Sequence, residues 1–239
     1  MAGLTTTQLN KMESDDLRAL STAAIRALST DQLNNLTTDQ LAAMTTAQIA
    51  AMATQPTNQI GGLTTDAIKA AEAQDLQNSL KQVLPEGLSD NDLLKDSAEF
   101  DKGDGSSVTV YRARLGGDPK GAVFKMASRG YAGDVVCLMG VDVQGKILGV
   151  RVIKHQETPG LGDKIEVAKG NWILAFDGKS LQNPDLAHWG VKKDGGIFDQ
   201  FAGATITPRA VVKAVKGGLD FYAAHQNEIF TKPAQQAKE

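Results

Sequence analysis

An eight-residue repeat runs through the opening stretch of the chain and sets the strongest limit on how it can fold. Leu4, Met12, Leu20, Leu28, Leu36, Met44 and Met52 recur every eight residues, and Leu9, Leu17, Ile25, Leu33, Leu41 and Ile49 form a second series of the same period. Between them stand Ser29-Thr30-Asp31-Gln32, Thr37-Thr38-Asp39-Gln40 and Thr45-Thr46-Ala47-Gln48. Each is a hydroxyl residue followed three positions later by Gln, the capping-box signature of a helix start. One continuous helix suits this period badly. Eight residues at about 100° each rotate the apolar pair by about 80° per repeat, which smears the stripe around the axis. Repeated start signals predict a string of very short helices, each turning the chain and burying its apolar pair against neighbouring units, a small all-α solenoid. The rival reading is a Thr-, Ala- and Gln-rich stalk without fixed structure. Pro56 interrupts the pattern, which resumes three residues out of register at Ile60-Leu63 and Ile68-Ala71.

Aromatic residues mark the boundary of a second region, because all twelve Phe, Trp and Tyr lie at Phe100 or later. The sequence therefore divides into a repeat segment over 1–66, a mixed domain over 67–232 and a flexible tail over 233–239. A longer helix is predicted over 65–84, capped by Thr65 and stopped before Pro85. A short helix is predicted over 90–94. Alternating strands are predicted over 108–114, 122–126, 135–143 and 146–154, joined by Gly-rich turns at Gly116-Gly117 and Gln144-Gly145. Helices are expected over 163–169 and 208–226. Adjacent strands with short turns imply an antiparallel sheet with flanking helices, an α+β fold behind the solenoid.

The 239 residues allow one large domain or two modest ones, and a formal net charge of −3 argues against wholesale binding to nucleic acid or an anionic membrane. No stretch approaches ~18 uninterrupted apolar residues, and the first residues lack a basic region followed by an apolar core. Cys137 is alone, within the apolar run Val135-Val136-Cys137-Leu138-Met139. It reads as a core residue.

Three polar stretches carry the chemistry. Asp199-Gln200-Phe201-Ala202-Gly203-Ala204-Thr205-Ile206-Thr207-Pro208 combines small residues with two hydroxyls and a helix start. Thr207 is the expected N-cap and Pro208 the expected first helical residue. Free amides and a positive dipole end suit an anion there. His155-Gln156-Glu157-Thr158-Pro159-Gly160-Leu161-Gly162-Asp163-Lys164 follows a strand end and forms a rigid loop with accessible amides. His155 by itself reads as a strand-end histidine. His188 and His225 have no second ligand at helical spacing, so no metal site is expected. Trp189-Gly190-Val191-Lys192-Lys193-Asp194-Gly195-Gly196 sets two lysines beside a glycine pair. That dipeptide reads either as a solvated face or as a partner for an anionic group.

Together with Gly130-Tyr131-Ala132-Gly133, these stretches closely resemble the G subunit of Rnf-type ion-translocating electron transport complexes (RnfG or RsxG, related to NqrC). The resemblance spans about two-thirds of the chain, from residue 68 to residue 230. It implies an FMN-binding domain in which FMN is joined through its phosphate to a threonine hydroxyl, installed from FAD by a separate flavin transferase. Carried onto this sequence, the acceptor is Thr205, with Gly203, Ala204, Ile206 and Thr207 around the phosphate. Glu157, Thr158, Gly160, Leu161 and Gly162 are expected beside the isoalloxazine, and Lys192 and Lys193 beside the cofactor's charge. Asp199, Gly203, Ala204 and Thr205 match the attachment pattern, but Ala202 stands where the family carries a hydroxyl residue. The implied role is electron relay with no catalytic acid–base pair. A threonine-nucleophile hydrolase is disfavoured, because Thr205 has no nearby base in sequence. The implied partners are the other subunits of the complex, and the implied setting is the inner membrane with the domain on the periplasmic side. Family members carry an N-terminal membrane helix where this chain carries the repeat. The expectation is therefore a soluble chain whose array serves as a carrier or assembly module. A different class remains open, an interaction or scaffold protein whose flavin domain holds no flavin.

Overall fold

The computed structural model describes residues 5–29, 32–33, 36–53, 65–102 and 105–234. The chain divides into two compact units, Met1–Asn78 and Ser79–Glu239.

The repeat of the first unit forms short helices: α1 (Thr6–Asn10), α2 (Ser14–Arg18), α3 (Thr22–Arg26), α4 (Thr38–Ala43) and α5 (Thr46–Ala53). Thr5 and Thr37 make full capping boxes with Gln8 and Gln40. Ser29 and Thr45 exchange the same pair of bonds with Gln32 and Gln48. The apolar pairs point inward, with Leu9, Leu17, Ile25, Met44 and Met52 all almost fully buried. α2 packs against α4 and α3 against α5, which joins helices three repeats apart.

The repeat glutamines make a second, long-range set of bonds that fixes this stacking. The Gln40 side-chain amide donates to the carbonyls of Leu9, Asn10 and Met12 at 2.9, 3.2 and 2.7 Å. Gln48 repeats the pattern on Leu17, Arg18 and Leu20 at 3.2, 3.2 and 2.7 Å. Each amide thus caps its own helix start with its oxygen and an earlier helix end with its nitrogen, satisfying groups that short helices leave unpaired. Helix α6 (Thr65–Lys81) adds a further cap, since Asp75 accepts from the Thr46 amide at 2.7 Å and pairs with Arg18 at 3.4 Å. α6 ends at Lys81, and residues 82–84 form a turn before Pro85. The register change expected at Ile60 and Leu63 and the end of the tail, 235–239, lie outside the described residues.

The second unit is a five-stranded antiparallel meander, in the order β1 (Ser97–Asp101), β2 (Ser107–Leu115), β3 (Asp118–Arg129), β4 (Asp134–Asp142) and β5 (Ile147–Lys154). Helix α7 (Ile206–Ile229) packs on β3 and β4. Its Phe221 and Tyr222 meet Phe124 of β3, with ring centroids 5.5 and 6.4 Å apart. Gly218 brings α7 onto the sheet, because an added Cβ would lie 2.2 Å from Met139 Sδ. Cys137 belongs to this core, and burial pushes its thiol up to about 12. Gly140 and Gly149 receive the Val83 backbone, with a Cβ at Gly140 falling 2.3 Å from the Val83 carbonyl oxygen. Gly140→Ala must displace that backbone, and it is expected to cost about 1–3 kcal/mol, read as a lower urea midpoint at unchanged slope.

Three expectations fail in this unit. Residues 90–94 form no helix. Instead the Asp90 amide donates to the Arg114 carbonyl at 2.9 Å, and Asn91 bonds the backbone of Arg112 and Arg114 at 2.9 and 2.8 Å. The segment is held along β2 and leads into β1, which the sequence does not suggest. The helix expected over 163–169 shrinks to a single 3₁₀ turn, Asp163–Ile165, because Glu166 is already extended and reaches His155. Finally, α7 starts at Ile206, two residues before Pro208. Among the described residues no helix is long and apolar enough to cross a membrane.

Candidate flavin-type site at the start of helix α7

Three segments converge where α7 begins. The β3–β4 hairpin contributes Tyr131, and the loop after β5 contributes Glu157, Thr158, Leu161 and Gly162. The turn before α7 and its first residues contribute Gly203, Ala204, Thr205, Ile206 and Thr207. Together they enclose a cavity of about 480 Å³.

The turn is set by Gly203. Its φ of +78° is a left-handed value that glycine adopts without penalty, and the Ala204 amide closes the turn onto the Phe201 carbonyl at 3.2 Å. Phe201 is anchored beneath by Trp172, whose ring lies 5.2 Å away and whose indole N–H donates to the Asp199 carbonyl at 2.8 Å. Ala202 is exposed on the outside of this turn. Thr205 follows as the N-cap of α7, half-buried and lining the cavity. Its backbone is already helical, with φ −71° and ψ −27°, and its side chain makes no capping bond. The usual N-cap residue is extended and bonds its own first turn. Thr205 keeps its hydroxyl out of that arrangement.

Thr207, the expected cap of the helix, donates its hydroxyl to Glu157 Oε2 instead, in a short hydrogen bond. Glu157 Oε1 accepts from the Ala132 amide at 3.1 Å. Both side chains are buried, Glu157 at 5% and Thr207 at 1% exposure. The Glu157 amide in turn donates to His155 Nδ1 at 3.1 Å, and His155 Nε2 meets Glu166 Oε1 at 2.8 Å. That pairing assigns the ring proton to Nε2. The loop is thereby tied at both ends, and Leu161 and Gly162 amides close it onto the Thr158 carbonyl at 3.1 and 3.0 Å.

Not every candidate residue reaches the cavity. Gly160 supplies a left-handed turn, φ +77°, outside the lining. Lys192 pairs with Asp199 at 2.6 Å, and Lys193 lies on the same 3₁₀ turn, its amide bonded to Gln200 at 3.2 Å. Neither lysine lines the cavity. Arg209, on the first turn of α7, is held by Asp194 through two bonds of 2.6 Å, and that contact keeps the Asp194 carboxyl below its ordinary range. Tyr131 is the lining residue to which the sequence assigns no place at the site, although its Gly130–Gly133 turn belongs to the resemblance. It sits in a Gly-x-x-Gly turn between two predicted strands, and nothing local announces that this turn reaches the helix start.

The chain is similar to known proteins over these same segments. The FMN-binding domain family matches residues 130–220, which hold the β3–β4 turn, strands β4 and β5, the loop, the turn before α7 and most of α7. The ALTTAQ repeat matches residues 9–46 and 27–54 in the first unit. The G subunit of the ion-translocating oxidoreductase complex of Stutzerimonas stutzeri is 51% identical over 161 residues, covering 67% of this chain and 71% of that protein. The protein of the same name from Cereibacter sphaeroides is 49% identical over 166 residues, covering 70% and 76%. Among solved structures, NqrC of Shewanella oneidensis matches with a TM-score of 0.50 and 20% identity, over 67% of this chain and 98% of its own. The C subunit of the Na(+)-translocating NADH-quinone reductase of Parabacteroides distasonis gives 0.51 and 18%, over 72% and 100%. At such identities the structural likeness speaks for the fold, and the family rests on the sequence relatives. With about half the residues identical over most of those relatives' length, the chain belongs to the family of G subunits of ion-translocating oxidoreductase complexes.

Proposed function

We propose that the chain is an electron-carrying flavoprotein subunit of an Rnf-type complex, with FMN joined through its phosphate to the Thr205 hydroxyl as a phosphoester. The observation that carries this reading is the state of Thr205: an N-cap threonine, lining a cavity, whose hydroxyl takes no part in capping.

The surroundings fit the group. The cavity of about 480 Å³ is of small-molecule size. The first turn of α7 holds no acidic residue, and its amides and positive dipole end suit a phosphate diester. Leu161 and Ile206 at the rim are 43% and 46% exposed, and Tyr131 is 69% exposed, apolar surface that a planar ring system would cover. Bound there, FMN would supply reversible electron uptake and release, which is the cofactor's own chemistry. The chain's residues would hold the phosphate at Thr205, Ile206 and Thr207, offer Gly203 and Ala204 for close approach, and face the ring with Thr158, Leu161 and Gly162. Lys192, paired with Asp199, and Lys193, outside the cavity lining, are left out of that set. The partners in this reading are the other subunits of the complex and a flavin transferase that delivers FMN from FAD. The setting is the inner membrane, with the domain on the periplasmic side.

Co-expression with a flavin transferase is expected to raise the intact mass by one FMN less one water and leave a fluorescent band on a denaturing gel. Thr205→Ala should abolish both. A bare-polypeptide mass for the unmutated chain would favour a scaffold whose flavin domain is vacant, the reading that Ala202 motivates. Fluorescence retained in Thr205→Ala would move the attachment elsewhere.

A further inference from the structure

Two helix starts compete at the site. By local rules the Thr207-Pro208 pair is the better one, with a hydroxyl at the N-cap and proline at the first helical position. The structure starts α7 at Ile206 instead, with Thr205 at the N-cap and the Thr207 hydroxyl turned to Glu157. The departure from the local rule thus coincides with a long-range bond from Thr207 to Glu157. The neighbourhood is shaped around that bond. A Cβ on Gly130 would lie 2.6 Å from Glu157 Oε1, and one on Gly162 would lie 2.8 Å from Glu157 Cβ and 3.0 Å from Thr207 Oγ1. Neither glycine has a positive φ, so close approach, not backbone conformation, is what each supplies. A carboxylate buried this deeply is costly unless both oxygens are bonded, and both are, to the Ala132 amide and the Thr207 hydroxyl.

We infer that Glu157 is a positioning residue for flavin attachment: by holding the Thr207 hydroxyl it selects the helix start at Ile206 and so keeps the Thr205 hydroxyl free to accept phosphate. This rests on Thr205 being the acceptor. Glu157 acts through Thr207, with its carboxylate already engaged by the protein. Without it, Thr207 recovers its role as N-cap, the first turn of α7 unwinds by two residues and Thr205 leaves its place in the cavity lining.

The test uses the whole chain with a purified flavin transferase and FAD, following the mass gain over time. Glu157→Ala and Thr207→Val should each slow attachment about ten-fold, the weight of one hydrogen bond to a charged group. The double variant should be no slower than either alone, because both remove the same bond. Glu157→Gln should stay near the unmutated rate, since its amide oxygen can accept from Ala132 and its NH₂ can donate to the Thr207 oxygen. Thr207→Ser should also retain the rate. A readout without flavin accompanies these. In a helix starting at Ile206 the Arg209 and Ala210 amides donate to the Thr205 and Ile206 carbonyls, and a Thr207 cap can re-bond only one of the two, so hydrogen exchange at one or both should accelerate in Glu157→Ala and not in Glu157→Gln. Unchanged rates in Glu157→Ala and Thr207→Val would overturn the inference, as would a Glu157→Gln variant as slow as Glu157→Ala. If the unmutated chain gains no mass, the phosphoester reading fails, while exchange at Arg209 and Ala210 still decides whether Glu157 sets the helix start.

Discussion

Phe124→Ala is expected to remove about 3–5 kcal/mol from the second unit. Phe124 is fully buried on the central strand β3, in register with Val110 of β2 and Met139 of β4. Its ring is stacked on Tyr222 and set edge-on to Phe221, so one side chain joins three strands to α7. Truncation removes apolar burial and leaves a cavity that the sheet cannot close, because β3 is hydrogen-bonded on both sides. Both tryptophans, Trp172 and Trp189, lie in this unit. Their fluorescence therefore follows its unfolding without a signal from the repeat. A fall in the urea midpoint at constant slope is the expected outcome; a loss below about 1 kcal/mol would show that the core relaxes around the gap.

The same residues explain what the sequence reveals in advance. Strands β2 to β5 are legible because apolar residues alternate between turns such as Gly116-Gly117 and Gln144-Gly145, and both features are local. β1 is hidden, since Ser97-Ala98-Glu99-Phe100-Asp101 offers only two apolar positions and draws its stability from pairing with β2. The false helix at 90–94 has the same origin: Asn91 satisfies β2 backbone groups that no nearby residue reveals. At the cavity, residues that gather there through loop and turn chemistry (Glu157, Thr158, Leu161, Gly203, Thr205) carry local signals. Tyr131 comes from another hairpin, and Lys192 is drawn off by Asp199. The start of α7 is misplaced for a related reason, because a bond to a residue fifty positions away outweighs the local N-cap preference of Thr207.

In the repeat, Gln48→Leu is expected to destabilise the first unit by about 2–4 kcal/mol, from hydrogen bonds lost in a buried place. The repeat motif predicts only half of what this residue does. Its oxygen accepts from the Thr45 amide at 2.8 Å, a local capping bond worth about 1 kcal/mol. Its nitrogen lies on the carbonyls of Leu17, Arg18 and Leu20, and the side chain is only 2% exposed. Leucine preserves the volume and answers none of these groups. The carbonyls of the α2 end must then find water through a packed interface or stay unpaired. Stability in a stacked array is a sum of unit and interface contributions, so one lost interface should lower the whole array and not merely α5. The first unit has no aromatic residue, so far-ultraviolet circular dichroism is the measurement. The helical signal should show an earlier transition while the tryptophan transition stays in place. Thr45→Ala removes a capping hydroxyl and leaves the long-range bonds, and should cost about half as much. If the two variants melt alike, the glutamine acts only as a cap, and the contacts across the stack add nothing.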